Sequence, residues 1–473
     1  LEDALSVEAL APHLDVVAGI PQFEISGPQA VAPFGRADNF PRAVAQRIGA
    51  DPARAILEPV GGQGPQHLVN EFAQGIAKGV TGMALFFGSE AISTVRHLMS
   101  QGDKRDWTEE VGGQMENRGY GLDGLVTLDL AGHGARTPIQ LYALFENARR
   151  AKTGLSREAY ALEMGRLFAP FTQVAHTNPH AMSQEVFDAA GLATVTPKNR
   201  IVADPFPRRM VARDQANQGA AVLMTSVGKA RELGIPEDKW VHLHGGADVA
   251  ERTPIERQDL AAYPAAAIAS KAALERAGVT AADIAVFDLY SCFPIAVTNV
   301  RDDLGISADD PRALTVTGGL PFFGGAGNNY SMHAIASMVR TLRARPGEYG
   351  FVGANGGFLS KYSTGVYSTK PATWTGFESK GLQAEINAWP KPVIAAAPTT
   401  GTVVTYTIDY GREAPHGVLV CATADGERFV AMTDAAEGDI VGQMIAAEPL
   451  GATVQVRQDE RGRNVVTALT PVV

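Results

Sequence analysis

The stretch "GGLPFFGGAGNNYS", residues 318–331, decides how this chain folds. Five of the six positions from 324 to 329 are glycine or asparagine. Glycine has no side chain to hold other groups away, so such a loop brings the backbone close to its neighbours. Two phenylalanines before the glycines and two amides after them indicate a pocket wall. The stretch nevertheless holds no acid, no base and no nucleophile stronger than a hydroxyl.

Length and composition describe a globular protein with a large core. The chain has 473 residues, of which 45% are hydrophobic and 19% charged. These fractions are ordinary for globular domains, and the length predicts roughly three of them. The 50 glycines are the unusual feature. They cluster in loops after apolar strands, where α/β proteins place their functional sites.

Charge and cysteine content exclude several classes of partner. The chain carries 51 acids against 41 bases, whereas nucleic-acid binders usually show a basic excess. No apolar run reaches the ~20 residues that span a bilayer, and no export leader opens the chain. Cys292 and Cys421 are the only cysteines, too few for a disulfide scaffold. We therefore expect a cytoplasmic protein with no nucleic-acid partner and no membrane span.

Helix and strand patterns alternate in both halves of the chain. Residues 65–79, "PQHLVNEFAQGIAKG", place a proline in a first helical turn and repeat apolar residues at a helical period. Residues 80–90, "VTGMALFFGSE", then form an apolar run typical of a strand buried on both faces. Residues 330–357 repeat this plan, which predicts a duplicated α/β half. Residues 1–17 resemble residues 274–290, and each reads as a helix end, a short acidic linker and a strand. Because residue 1 already falls within such a helix end, it is left open whether a first strand and helix precede it.

Two further regions differ in pattern from these halves. Residues 141–181 are strongly helical and lead into a segment where arginines stand among prolines. After about residue 385, short alternating strands are separated by glycine, aspartate and proline turns. That pattern predicts a small β-barrel.

These segments together resemble the thiolase superfamily, and most closely the sterol-carrier-protein thiolases, over about residues 1–370. "ALFFGSEA" (84–91) is similar to the strand and turn after the nucleophile helix, and "DLYSCF" (288–293) to the His-Asp-Cys-Phe motif. "GGLPFFGGAGNN" is similar to the segment that ends in Gly-His-Pro. The resemblance implies an α/β thiolase fold of two βαβαβαββ halves in five αβαβα layers. A helical loop domain is inserted in the first half, and the barrel would be an appended OB-like domain.

The resemblance also implies limits for these domains. The ranges are residues 1–118 and 218–255 for the first half, 119–217 for a loop domain that binds coenzyme A (CoA), 256–384 for the second half, and 385–473 for the barrel.

The residues that carry thiolase chemistry are replaced at several matching positions. In thiolases a cysteine at the start of a buried helix takes the acyl group from CoA, because the helix dipole favours its thiolate. Counting back from Gly88 places that position at Gly62 or Gln63, where no thiol occurs. The Gly-His-Pro triplet reads Gly-Gly-Ala at 324–326, and the family's C-terminal cysteine or His-Asn loop reads Ala-Asn-Gly-Gly at 354–357. Of the His-Asp-Cys-Phe motif, the cysteine and phenylalanine remain.

Several polar side chains near these motifs are candidates for catalysis. Cys292 would move the substrate α-proton, as its motif position implies, or is a small core residue. Tyr290 would polarise a carbonyl or accept a proton, or merely binds backbone. Asn328, Asn329 and Asn355 would donate to an oxyanion, or cap a helix and hold turns. His333 would replace the missing histidine, or packs within its helix.

Backbone and arginine groups are candidates for binding the thioester. Glycines before Pro65 leave helix N–H groups free for a carbonyl oxygen, and the expected backbone donors are Gly62, Gly64, Gly325 and Gly356. Arginine suits phosphate contact, so the candidates for the CoA phosphates are Arg200, Arg208, Arg209 and Arg213. "HLHGG" (242–246) lacks a third ligand for a metal, and we expect no metal.

Three functions remain open. The resemblance implies a CoA-thioester-binding protein of the acyltransferase superfamily that lacks the thiolase nucleophile and base, with thiolase activity absent. The first alternative is a thiolase-like aldolase that cleaves 3-hydroxyacyl-CoA in sterol or lipid breakdown, since a retro-aldol step needs a base and an oxyanion hole but no thiol. The second is a non-catalytic scaffold whose barrel recruits a protein partner. We expect a homodimer or a monomer.

Overall fold

Two β-sheets with a pair of helices between them form the body of the protein in a computed structural model. It describes residues 1–125, 127–374, 376–411 and 414–472. The predicted ranges 119–217, 256–384 and 385–473 each include positions that lie outside these described residues.

The first sheet is built mostly from the N-terminal part of the chain. Its order is β4-β2-β1-β3-β7; the first four strands in this order are parallel, and β7 runs antiparallel to β3. The strands are β1 (Val16–Gly19), β2 (Arg54–Leu57), β3 (Met83–Ala91), β4 (Glu116–Asn117) and β7 (Asn217–Thr225).

The second sheet repeats part of this plan. Its order is β8-β11-β10-β9, with β9 parallel to β10 and β11 antiparallel to both of its neighbours. The strands are β8 (His242–Ala250), β9 (Ile284–Leu289), β10 (Tyr349–Gly356) and β11 (Lys361–Ser368). The predicted fifth strand is absent from this sheet within the described residues.

Helices cover both sheets and fill the space between them. Between the sheets, α3 (Gly64–Ala77) contacts α12 (Tyr330–Arg343), and each contacts strands of both sheets. On the outer faces, α2 (Phe40–Arg47) packs against β1 and β2, and α10 (Pro264–Ala277) against β8 and β11. The result is the predicted αβαβα layering. The other helices of this body are α1 (Val7–Leu10), α4 (Ile92–Ser100), α9 (Val227–Glu232), α11 (Pro294–Asp303) and α13 (Lys380–Ala388).

A mostly helical insertion separates β4 from β7. It contains α5 (Leu128–Gly132), α6 (Pro138–Thr153), α7 (Arg157–Thr177), α8 (Ala189–Ala193), β5 (Ile201–Ala203) and β6 (Phe206–Pro207). At the start of α6 the Gln140 side-chain oxygen accepts hydrogen bonds from the backbone N–H groups of Thr137 and Arg136, as the glutamine of a capping box does for the N-cap residue. No helix of the described residues is long and apolar enough to cross a membrane.

The C-terminal strands close into a five-stranded barrel with its own core. Strand β12 pairs with both β13 and β15, and β14 and β16 complete the ring. Tyr406, Leu419 and Phe429 are buried inside it. The elements are β12 (Thr400–Asp409), β13 (His416–Ala422), β14 (Arg428–Met432), α14 (Ile440–Ala446), β15 (Thr453–Gln458) and β16 (Asn464–Thr470).

The barrel joins the helical insertion through a strand pair and a buried charge. Strand β12 continues the sheet onto β5 at Asp409 and Ala203. Next to this seam, the Arg150 side chain of α6 is only 2% exposed and forms two hydrogen bonds with Glu448, 2.6 and 3.0 Å long. The same guanidinium donates to Tyr406 and Asn147.

We predict that Glu448→Ala lowers the free energy of unfolding by about 2–3 kcal/mol, because it leaves a buried guanidinium without its charge partner. The matched control is Glu163→Ala, which removes an exposed pair with Arg166 and should cost less than about 0.5 kcal/mol. Urea unfolding followed by circular dichroism measures both. Equal losses would mean that the buried pair does not hold the barrel in place.

Candidate functional site

The start of α3 is tied to the glycine loop of residues 318–331. The backbone N–H of Gly61 donates to Asn328 Oδ1 at 3.1 Å. The Ser331 hydroxyl donates to the carbonyl of Gly62 at 2.6 Å. A turn from the first half and a loop from the second half therefore form one unit.

Tyr290 lies directly against Gly62. A Cβ atom built on Gly62 would lie 2.2 Å from the Tyr290 hydroxyl oxygen and 2.6 Å from the carbonyl oxygen of Asn355. Real Cβ atoms essentially never come so close to another heavy atom. The space that a side chain at position 62 needs is thus filled by the ends of β9 and β10. Among the described residues the Tyr290 hydroxyl makes no hydrogen bond.

Gln63 fills the other side of the same turn. Gln63 is the N-cap residue of α3, and only 8% of its surface is exposed. Its Oε1 would lie 2.1 Å from a Cβ on Gly61 and 1.8 Å from one on Gly356, so both positions accept only glycine beside this rotamer. Oε1 is buried without a hydrogen-bond partner among the described residues.

Cys292 and Asn355 belong to a buried cluster of hydroxyl groups. Asn355 Nδ2 donates to the Tyr142 hydroxyl at 2.7 Å and lies 3.9 Å from Cys292 Sγ. Asn355 Oδ1 accepts from the Tyr263 hydroxyl at 3.3 Å. Tyr142, which stacks on Phe293 with ring centroids 4.3 Å apart, was not predicted. It lies on the helical insertion, far from the motif in sequence.

Burial keeps the groups of this site neutral. It raises the pKa of Cys292 to about 12, although hydrogen bonds from Tyr142 and Asn355 oppose the shift. It also raises the pKa of Tyr290 well above that of an ordinary tyrosine, and the nearby Cys292 adds to this effect. At neutral pH both side chains therefore keep their protons and act as donors.

The two asparagines of the glycine loop serve as structural ties. Asn328 Nδ2 donates to the carbonyl of Pro21 and the hydroxyl of Ser26, so neither of its amide hydrogens is free in this arrangement. Asn329 Nδ2 donates to the carbonyl of Gly88 at 2.7 Å. Their role as oxyanion donors stays a prediction, which for Asn328 requires one of its bonds to break.

His333 lies beside Phe323 on the side of α12 that borders β7. Its ring lies 5.3 Å from that of Phe323. It lines a groove of about 1140 Å³ along the open edge of β7. Burial lowers the pKa of His333 to about 4. The rings of Phe323 and Tyr330 lie in series between His333 and Tyr290, and its predicted catalytic role stays a prediction.

The backbone donors that the sequence predicted are only partly free. The N–H of Gly64 donates to Gly61 and that of Gly325 to the carbonyl of Arg213. Gly356 pairs with Lys361 in the β10–β11 ladder. The N–H of Gly62 makes no hydrogen bond among the described residues.

A carboxyl group that the sequence did not single out lies against the glycine loop. Glu90, at the end of β3, would meet a Cβ on Gly327 at 2.0 Å, and Gly327 has φ +55°. Burial raises the pKa of Glu90 to about 7 against a hydrogen bond from the N–H of Phe23. The stretch "ALFFGSEA" contains Glu90, but its contact with Gly327, which is 237 positions later, cannot be predicted from local sequence spacing.

The four predicted arginines differ in their freedom to bind a ligand. Arg209 is held by the ring of Phe187, 4.3 Å away, and by the carbonyl of Gly191. Arg200 donates to backbone carbonyls of Ile201 and Tyr410. The side chains of Arg208 and Arg213 are exposed and make no ion pair or hydrogen bond among the described residues.

Three side chains that could bind a metal ion lie around an arginine of the protein. Glu58, His67 and Glu71 approach one another closely enough to share an ion. However, Arg118 binds both carboxylates, at 2.9 Å from Glu58 and 2.6–2.7 Å from Glu71. Burial opposes protonation of His67, but the bond to Glu58 and the charges of Asp248, Glu58 and Glu71 raise its pKa to about 9. The cluster is therefore an ion-pair network.

Comparison with known proteins places this geometry among thiolase-like structures. Residues 381–461 match the model of the thiolase-like protein type 1 additional C-terminal domain. The chain is 43% identical to a monomeric SCP2-thiolase like protein type 1 from Mycobacterium smegmatis, with 98% of this chain and 91% of that one covered and a TM-score of 0.84.

More distant structures share the fold. The Ltp2-ChsH2(DUF35) aldolase has 18% identity, covers 74% of this chain and 86% of its own, and gives a TM-score of 0.53. Human mitochondrial 3-ketoacyl-CoA thiolase has 16% identity, with 78% and 90% covered and a TM-score of 0.54. No curated protein sequence matches the chain. The predicted thiolase fold with an additional C-terminal barrel is confirmed.

We predict that Gly62→Ala destabilises the protein, because its Cβ meets Tyr290 and the Asn355 carbonyl at less than 3 Å. Adding Tyr290→Ala should recover part of the loss and not all of it, since the Asn355 backbone remains. Thermal unfolding of the two single variants and the double variant measures this coupling. Gly132→Ala, where a Cβ meets nothing within 4 Å, is the control. Additive losses would contradict the contact.

Proposed function

The chain belongs to the SCP2-thiolase-like proteins of type 1, and from this we propose that it binds a CoA thioester without forming a thiolase-type acyl-cysteine. The thioester carbonyl would lie at the start of α3, close to the N–H of Gly62 and the hydroxyl of Tyr290. The proposal draws on the thiolase fold, since one protein of the same fold is by name a 3-ketoacyl-CoA thiolase.

One observation carries this proposal: Tyr290 fills the position that a nucleophile at residue 62 would need. A cysteine there would place its Cβ within 2.2 Å of the tyrosine hydroxyl. The thiol described at this site is that of Cys292, and burial raises the pKa of Cys292 to about 12. The thiolate is the nucleophilic form of cysteine, so Cys292 is a poor acyl acceptor at neutral pH.

Arg213 is the best-placed cation for the phosphates of CoA. Its backbone binds Gly325 in the glycine loop, while its side chain is exposed and without a partner among the described residues. Arg208 is equally exposed, but no contact joins it to the loop. Three further statements remain proposals. They are that the helical insertion binds CoA, that the protein is cytoplasmic, and that the barrel binds a protein partner.

We predict that incubation with acetoacetyl-CoA and CoA gives no acetyl-CoA above the uncatalysed rate. Intact-protein mass spectrometry should find no acyl adduct, because no thiolate is present to take the acyl group. A dimeric or monomeric thiolase with a cysteine nucleophile serves as the positive control. An acyl group trapped on Cys292 would overturn the proposal.

We predict that CoA esters bind in calorimetric titrations, more weakly at higher salt because exposed charge pairs are screened. Arg213→Ala should weaken binding about 3- to 10-fold, in the range of one solvent-exposed hydrogen bond. Arg208→Ala is the matched control and should change binding less. Equal effects, or none, would place the phosphates elsewhere.

A second function, retro-aldol cleavage of a 3-hydroxyacyl-CoA, is favoured by the hydroxyl of Tyr290, which has no hydrogen-bond partner within the described part of the chain. A lyase needs a donor for the enolate oxygen and a proton acceptor, but no covalent intermediate. Tyr290 would supply the donor. Glu90, which lies against Gly327 of the glycine loop, would be the proton acceptor, because burial raises its pKa to about 7, a value that suits proton transfer. One structure of the same fold is named as an aldolase.

We predict that any such lyase activity falls about 100- to 10,000-fold in Tyr290→Phe, the range of positioned acid–base catalysis. Binding of CoA esters should remain, because the phosphate contacts are unchanged. Release of the carbonyl product from 3-hydroxyacyl-CoA esters provides the assay, with 3-hydroxybutyryl-CoA as the first substrate. Turnover unaffected by the substitution would remove Tyr290 from the mechanism.

A further inference from the structure

Strand β14 of the barrel turns a buried arginine toward the body of the protein. Successive side chains of a strand point to opposite sides. Phe429 and Ala431 lie in the core of the barrel, whereas Val430 packs with the core of the body. Arg428 is on the same side as Val430 and is only 9% exposed. Burying a charged group is costly unless its donors are satisfied, so the partners of this arginine must be well placed.

Arg428 binds three backbone carbonyls of a single segment, residues 251–263, which connects β8 to α10. One terminal nitrogen, Nη1, donates to the carbonyls of Ile255, at 3.1 Å, and of Arg257. The other, Nη2, donates to the carbonyl of Gln258 at 3.0 Å. A guanidinium is planar and rigid, so these bonds fix the three carbonyls relative to the barrel. The barrel therefore helps to set the position of the segment.

The same segment contacts Asn355 and the turn that follows it. The Tyr263 hydroxyl donates to Asn355 Oδ1 at 3.3 Å, and the Arg257 guanidinium donates to the carbonyl of Phe358 at 2.8 Å. In this turn Leu359 has φ +50°, a left-handed conformation that bulky residues rarely adopt. Such a conformation persists only where the surrounding structure holds it. The segment is thus one of the supports that keep Asn355 in place.

We infer that Arg428 is a positioning residue for Asn355: the barrel fixes residues 251–263, and Tyr263 of that segment holds the Asn355 amide beside Cys292. Within the described part of the chain Arg428 touches neither Asn355 nor Cys292, so it acts through the segment. The ligand proposed above is not needed for this role, because the contacts exist in the free protein. The C-terminal barrel is then a working part of the site and not only an appended domain.

The two cysteines of the chain provide a probe and an internal reference. Cys292 Sγ lies 3.9 Å from Asn355 Nδ2, and burial is the largest influence on the pKa of Cys292. Displacement of Asn355 admits water to the thiol, which lowers its pKa and makes it more reactive, since the thiolate is the reactive form. Cys421 is buried inside the barrel, and its neighbour Ala422 pairs with Arg428. Cys421 therefore reports whether the barrel itself stays folded.

The test is the rate of alkylation of each thiol by iodoacetamide as a function of pH, read by peptide mass spectrometry. Arg428→Met should raise the Cys292 rate about 10-fold at a given pH, as for a fall of about one pKa unit, with Cys421 unchanged. Arg428→Lys keeps the charge without the rigid fork and should give an intermediate rate. Arg457→Met is the control, because it removes an exposed ion pair with Glu437 on the barrel, and it should leave both rates as in the wild type.

A double-mutant cycle tests the route through Tyr263. Tyr263→Phe removes only the hydroxyl and should also raise the Cys292 rate. Adding Arg428→Met to it should change the rate less than about 2-fold, since both substitutions release the same amide. An unchanged Cys292 rate in Arg428→Met overturns the inference, and so do effects that multiply in the double variant. A rise at both thiols means that the barrel has unfolded, and Arg428→Lys then replaces the methionine variant in the same cycle, with the same two outcomes deciding.

Discussion

The structure depends on a close approach at Gly62. This residue lies in the first half of the body, and the hydroxyl of Tyr290 and the carbonyl of Asn355 press on it from the second half. Any side chain at position 62 would push the start of α3 away from the ends of β9 and β10. The hydrogen bond from Ser331 to the Gly62 carbonyl then fixes the glycine loop to the same point. One missing Cβ therefore determines both how the halves fit and what the site can contain.

Hydrogen bonds between buried polar groups join the barrel to the helical insertion. Arg150 is almost fully buried, and its guanidinium is satisfied by Glu448, Tyr406 and Asn147. Such a group costs free energy unless each donor has a partner, so its bonds fix how α6 sits against β12. The same requirement shapes the Glu58–Arg118 network near the start of α3. In both places a buried or half-buried arginine links separate elements through carboxylate partners.

Sequence patterns predict the elements of this molecule better than the contacts between them. The apolar period and Pro65 predict α3, and alternating strands predict the barrel, because these features follow from burial of one face or side. The motif positions also bring Tyr290 and Asn355 to Gly62, with Cys292 next to Asn355. His333 shows the limit: it follows the glycine loop in sequence, but successive helical residues point about 100° apart, and its side of α12 faces β7. Tyr142 and Glu90 reach the site from distant segments, and no local spacing records such contacts.

Burial explains why this site presents hydrogen-bond donors and an amide instead of ionised groups. Removing water disfavours a thiolate or a phenolate, and the bonds that Cys292 receives from Tyr142 and Asn355 do not outweigh that penalty. A nucleophile would need a stronger compensation, such as a helix N-terminus, and the N-terminus of α3 is occupied by Gly62 and the tyrosine against it. Neutral donors need no such compensation, because they remain protonated when buried. They are suited to a ligand whose own oxygen carries the charge, such as an enolate or a polarised thioester carbonyl. While Tyr290 and the Asn355 carbonyl keep their positions, a side chain at position 62 has no space beside them.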